Sequence, residues 1–297
     1  MEEQAKKDNV LKWWHIALPI GIVVLLFLMV NLRQSKFSKP TSNFTPANTP
    51  FLKTKKEPKQ KNDALVFDTV KAKITDYENQ LKQGDTVSIE KLINLGAYYV
   101  QNNQNKNAVG ILAKALEKDA TSAEAHHNLA SAYDKLKQTK KAVRHYKLAL
   151  TFNNQNEETY YNLAKLYLSE KQNNDALQNF EQLTILNPKQ ANAWFNIGLL
   201  KDAAQKYDEA ITAYTNAVIH QQGFSVAYYN MGNTYIKLNK IRAAKNAYEK
   251  AIEIDAEYSK AYVNLANVQQ ALGDTATAQQ NFQKALQLNP SLKKLAK

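Results

Sequence analysis

The 297-residue chain contains no cysteine. This excludes disulfides, thiolate zinc sites, thiolate nucleophiles and lipids attached through sulfur. Glycine and proline are sparse, at 8 and 7 residues. The glycines are scattered, so no Gly-rich phosphate loop can form. Histidine is confined to His15, His126, His127, His145 and His220. His126 and His127 are adjacent, so they diverge on a helix, and no histidine or carboxylate at i+4 completes a metal pair. His126 takes a packing position in the pattern described below. No GxSxG motif or paired acids stand out. The expectation is a protein without enzymatic activity, without a metal site and without a cofactor.

The chain carries a net charge of +12, unevenly spread: residues 1–63 hold 11 Lys/Arg against 5 acids, the rest 28 against 22. The excess lies beside an apolar run, where membrane flanking and solubility account for it. No RNA- or DNA-binding motif accompanies it, so nucleic acid is not an expected partner.

Residues 1–12 form a charged tail. Residues 13–32 read as a transmembrane helix: Ile16–Leu32 is apolar apart from Asn31, and Trp13 and Trp14 suit the interfacial belt. No A-x-A-like site follows, so an uncleaved anchor is expected rather than a signal peptide. Lysines and arginine flank both ends almost equally. Glu2, Glu3 and Asp8 tip the balance towards an inside amino terminus. The expectation is a single-pass protein of a bacterial inner membrane, with residues 33–297 outside the cytoplasm. Residues 33–63 hold four of the seven prolines and no apolar periodicity, as in a disordered Pro/Lys-rich linker. The glycosylation-like triplet Asn43-Phe44-Thr45 is short enough to arise by chance.

From Ile89 a 34-residue period runs through six copies: 89–122, 123–156, 157–190, 191–224, 225–258 and 259–292. Position 20 is alanine in every copy, from Ala108 to Ala278. Position 8 is small: Gly96, Ala130, Ala164, Gly198, Gly232 and Ala266. Position 7 is Leu95, Leu129, Leu163, Ile197, Met231 and Leu265. Position 24 is Leu112, Tyr146, Phe180, Tyr214, Tyr248 and Phe282. Position 27 is alanine except at Leu183. Positions 4, 7, 8 and 11 make one helical stripe, and 20, 24, 27 and 28 a second, as in a helix-turn-helix solenoid. Val66, Val70, Ile74, Tyr77 and Leu81 share a face, so residues 64–88 are expected to hold a capping helix. Residues 293–297 form a short tail. The outer face of the last helix is expected to be shielded by Gln279, Gln280 and Gln287, or by a partner.

These columns resemble the tetratricopeptide repeat family, clearest in the fourth copy: Trp194, Ile197, Gly198, Ala210, Tyr214 and Ala217. Lys201 and Gln269 replace the usual tyrosine at position 11, and Leu183 the usual alanine at 27, which suggests local loosening. The resemblance implies an all-α, right-handed superhelical solenoid of six repeats, preceded by the anchor, the linker and the cap. It also implies that the first helix of each repeat lines a concave groove through positions 2, 5, 6, 9 and 12.

Position 6 is then Asn94, Asn128, Asn162, Asn196, Asn230 and Asn264, a column of amides able to pair with both the N–H and C=O of an extended peptide. The column is similar to the amide ladder in the repeat domain of O-GlcNAc transferase. Packing or hydration of the inner helices is its other role. Position 5 supplies His127, Tyr161, Phe195 and Tyr229, either contact rings or packing rings. Asn233 and Asn267 extend the amides at position 9. Glu90, Glu124 and Glu158 at position 2 make the first half acidic. Lys165 and Lys260 are isolated groove cations, so a clamp for acidic chaperone tails is not expected. The resulting expectation is a membrane-tethered interaction module, holding a peptide or partner protein in its groove. A self-associating membrane scaffold and a preprotein receptor with cytosolic repeats are the alternatives. The sequence leaves the oligomeric state open.

Overall fold

The structure, a computed structural model, describes residues 61–84 and 86–295. The tail, the apolar run 13–32 and linker residues 33–60 lie outside the described residues. Thirteen α-helices follow one another, with no strand among the described residues. The first, α1 (Lys61–Gln83), opens three residues before the expected cap. Six helix pairs follow: α2 (Ile89–Gln101) and α3 (Asn105–Lys118), α4 (Ala123–Lys135) and α5 (Thr139–Phe152), α6 (Glu157–Ser169) and α7 (Asn173–Leu186). Then come α8 (Ala191–Ala203) and α9 (Tyr207–His220), α10 (Ser225–Lys237) and α11 (Ile241–Ile254), α12 (Ser259–Ala271) and α13 (Thr275–Leu288). A short 3-10 segment, Pro290–Leu295, ends the described chain. Every helix of the array begins 34 residues after its counterpart.

One backbone device sets this phase. Position 15 of each repeat is left-handed: Asn103, Lys137, Lys171, Gln205 and Asn239 at φ 54–60°, and Gly273 at 85°. The next residue's N–H then reaches back five residues, as from Gln138 to the Tyr133 carbonyl at 2.9 Å or Lys240 to Tyr235 at 2.9 Å. This is the Schellman closure of a helix end, which satisfies otherwise unpaired carbonyls and turns the chain into the second helix. Only one of the six positions is glycine, so the other five carry backbone strain.

The helix starts divide the array. Ser88, Ser122 and Asn156 cap α2, α4 and α6 by accepting the N–H three residues on, at 3.4, 3.3 and 2.9 Å. Phe224 and Tyr258 replace that cap before α10 and α12. Their rings lie 4.9 Å from Phe195 on α8 and Tyr229 on α10, the first helices before them. A cap hydrogen bond is exchanged there for aromatic contact with the preceding first helix.

Inside each repeat the alanines of position 20 are buried, and the position 24 side chain fills the gap opposite. A Cβ on Gly96, Gly198 or Gly232 would lie 2.4–2.5 Å from Leu112, Tyr214 or Tyr248, so glycine is what admits those side chains. The departures at position 11 do not loosen the packing. Gln269 is 3% exposed, and its Oε1 accepts from Asn281 Nδ2 at 2.8 Å. Lys201 spans two outer helices, 3.3 Å from Glu181 and 2.9 Å from Glu209. At the amino end α1 packs on α2: Ile74 is buried with Leu95 and Leu112, and Tyr99 donates to Glu78 at 2.6 Å. Successive first helices touch (α2 with α4, α4 with α6, α8 with α10) more closely than second helices do. The array therefore bends with its first helices inside.

The localisation expected from the sequence is corrected. Among the described residues no helix is long and apolar enough to cross a membrane. The array helices have 13 or 14 residues, about 20 Å, against an apolar bilayer core of about 30 Å. The longer α1 is interrupted by charges throughout. The run 13–32, and with it the proposed membrane contact, lies outside the described residues.

Candidate protein-binding site

The first helices place all six position 6 asparagines on one side of the array, in different surroundings. Asn94 is exposed and the other five are half-buried. Asn196 and Asn230 each turn one N–H back onto their own helix, to the carbonyls of Asn192 at 2.7 Å and Val226 at 2.8 Å. Asn162, after His127, helps hold the Glu158 carboxyl below the usual carboxylate range. Asn264 instead reaches across to the neighbouring repeat. Its Nδ2 lies 2.9 Å from Asn233 Oδ1 and within 3.3–3.4 Å of the hydroxyls of Tyr229 and Tyr248. Tyr248 donates to the same Asn233 oxygen at 2.8 Å. Burial pushes the Tyr248 phenol up to about 12, so it stays a donor through the neutral range.

This network fixes the Asn233 oxygen and leaves its two N–H groups uncommitted in the set of bonds above. It forms one wall of a pocket of about 470 Å3 between α10 and α12. The remaining lining is mixed: Ile236, Ile241, Val268 and Ala271 are apolar, and Lys237, Asn239 and Asn267 are polar. Ile236 is 43% exposed. Three of the expected site residues, Asn233, Asn264 and Asn267, are thus brought together. Ile236 and Tyr248 were not anticipated. The signal for Ile236 was available: position 12 alternates between acids (Asp134, Asp202) and aliphatics (Val100, Leu168, Ile236).

The position 5 side chains lie within the packing. The His127 ring is 8% exposed, with Nδ1 2.7 Å from Thr159 Oγ1 and its edge towards Tyr146. The same residue holds the Glu158 carboxyl below the usual carboxylate range. Tyr161, Phe195 and Tyr229 lie 5.8–5.9 Å from the position 24 rings Phe180, Tyr214 and Tyr248. These contacts span the two helices of each repeat, so the rings serve first to hold the pair together.

Comparison with known proteins agrees with this geometry. Family models described as tetratricopeptide repeat match residues 111–144, 161–225, 225–258 and 259–292, together more than half of the chain. The chain is a tetratricopeptide-repeat protein. No curated protein matches it as a relative. Among solved tetratricopeptide-type structures, MamA is 26% identical, with a TM-score of 0.53 over 56% of this chain and 97% of MamA. YrrB, described as a TPR protein with an unusual peptide-binding site, is 25% identical, with a TM-score of 0.53 over 58% of this chain and 88% of YrrB. PilF of Pseudomonas aeruginosa, at 22% identity and a TM-score of 0.55 over 68% of this chain and 92% of its own, shares the fold. These tetratricopeptide relatives support a module for protein–protein interaction, and none of the matched families is an enzyme family.

Proposed function

We propose that the array captures an extended peptide segment of a partner protein on its inner wall, centred on repeats five and six. The observation that carries this reading is the pocket between α10 and α12. There the exposed Ile236 adjoins Asn267 and Asn233, whose side-chain oxygen is held by Tyr248 and Asn264. An apolar side chain fits against Ile236, while Asn233 and Asn267 pair with the peptide backbone on either side. Asn94, Asn128, Asn162, Asn196 and Asn230 continue the wall towards the amino end, and Glu90, Glu124 and Glu158 favour a neutral or basic continuation of the ligand. The peptide-binding site described for YrrB supports the reading by likeness of fold.

The test is selection of a random peptide library on the chain, followed by fluorescence polarisation of selected peptides on wild type and Asn233→Ala/Asn267→Ala. Selected peptides should share an apolar residue and lose at least about tenfold in affinity on the variant, roughly 1.4 kcal/mol. Equal affinity on both would remove the amides from the mechanism.

Self-association is the second reading, favoured by Ile185 and Ile219, which are 71% and 61% exposed at the same position of α7 and α9. Light scattering at tens of micromolar separates the two: a monomer counts against self-association.

A further inference from the structure

The outer helix of the second repeat carries a charge pattern that no other repeat has. On α5, positions 18, 19, 22 and 25 are Lys140, Lys141, Arg144 and Lys147. The same positions in repeats three and four are Asn174, Asp175, Gln178 and Glu181, then Asp208, Glu209, Thr212 and Thr215. Repeats one and five have one cation each, Lys106 and Arg242, and repeat six none. The period therefore does not require basic residues here.

All four side chains are exposed. Lys140, Arg144 and Lys147 stand at i, i+4 and i+7, one ridge about 10 Å long. Like charges at this spacing repel each other, and cations in the first turn oppose the helix dipole. Gln138, which precedes the helix, adds no side-chain cap, and the first turn contains no acid. Among the described residues none of the four lies within ion-pair distance of a carboxylate. In contrast, Lys201, Lys206, Lys237, Lys240, Lys245 and Lys250 of repeats four and five all have acidic partners. The ridge borders a cleft of about 770 Å3 reaching to the third repeat, where Tyr167 forms part of the lining and Glu170 and Asp175 stand opposite. Thr139 donates to Glu170 at 3.2 Å, which draws that acid towards the helix start.

We infer that the α5 ridge docks an acidic segment of a partner protein, at a surface separate from the inner wall. Charge complementarity is the ground: unpaired, mutually repelling cations are stabilised when carboxylates of a partner lie across them. A nucleic acid fits less well. The two rings beside the ridge, Tyr133 and Tyr167, are already faced by Lys141 at 5.1 Å and Lys147 at 5.9 Å, leaving no platform for a base. A second copy fits less well too, because Glu181, Glu209 and Asp208 on the outer helices are engaged by Lys201 and Lys240.

The test is fluorescence anisotropy of a labelled decaglutamate peptide with the full chain at low and moderate salt. Binding that weakens with salt is expected, with at least a tenfold loss in K140E/R144E/K147E. The same charge change at the start of and along α11, K240E/K245E/K250E, should alter affinity less than about twofold, which separates the ridge from net charge. E170Q/D175N should tighten binding, and Asn233→Ala/Asn267→Ala should leave it unchanged. If the reversed ridge fails to fold by circular dichroism, K140Q/R144Q/K147Q replaces it with the same expected direction. Equal loss from both triple reversals overturns the inference. So does tighter binding of a single-stranded oligonucleotide of equal charge, or a dimer in light scattering that the ridge variant dissociates.

Discussion

Replacing Gly232 by alanine sets effects of opposite sign against each other. In a helix interior alanine is favoured over glycine by about 1 kcal/mol. At this position, however, the new Cβ would meet Tyr248 at 2.5, 2.7 and 2.9 Å. Tyr248 is 1% exposed and its hydroxyl is held by Asn233, so the ring can yield only by moving towards the pocket and breaking that bond. Overpacking of that kind costs about 1–3 kcal/mol. Moving the ring also strains the hydroxyl bond to Asn233, worth about 1 kcal/mol. The net expectation is destabilisation by about 1–3 kcal/mol, a fall in melting temperature of roughly 2–12 °C for an array of this size. Gly110→Ala is the control: that glycine is also helical, but a Cβ there meets nothing within 4 Å. It should raise stability by about 0.5–1 kcal/mol. Thermal unfolding by circular dichroism reads both. A Gly232→Ala variant as stable as Gly110→Ala would refute the close-approach reasoning. Because Tyr248 holds Asn233, Gly232→Ala should also weaken any peptide bound between α10 and α12.

Other outcomes follow from the same geometry. Ser122→Ala should lower stability by about 1 kcal/mol through loss of a cap, whereas Gln172→Ala should change little, since the exposed Gln172 makes no side-chain cap bond before α7; chemical denaturation compares them. Gly273→Ala should destabilise by about 1 kcal/mol, because alanine is strained at φ 85°, again by denaturation. His145 is held down to about 4 by burial, then by His126 and Arg144. The folded chain therefore binds fewer protons than the unfolded one between pH 6.5 and 4, and stability should fall as pH drops through that window. In His145→Gln the same pH titration of stability should be flatter.

The architecture was legible because a close-packed solenoid repeats its constraints. A small residue at position 8 and alanine at 20 are demanded wherever two helices touch, and the helices keep that phase from Ile89 to Leu288. Position 15 was not legible, since its requirement is a backbone angle that Lys137, Lys171 and Gln205 meet without glycine. Nor was the effect of Lys201 and Gln269, which replace one packed ring by polar links to residues on other helices. For the site, the position 6 column identified a wall but not its uneven commitments. Whether an asparagine bonds its own helix, like Asn196, or its neighbour, like Asn264, depends on partners 4 or 31 residues away. The position 5 rings read equally as contact or packing residues until distances to the opposite helix were known. The localisation rested on residues 13–32, outside the described residues, whereas no described helix is built to cross a bilayer.

The sharpest test of peptide capture between α10 and α12 is amide hydrogen exchange of the full chain, with and without a selected peptide. Protection should concentrate in residues 225–237 and 259–271, the two helices that flank the pocket. Protection confined to the outer helices, with α10 and α12 unchanged, would contradict capture there.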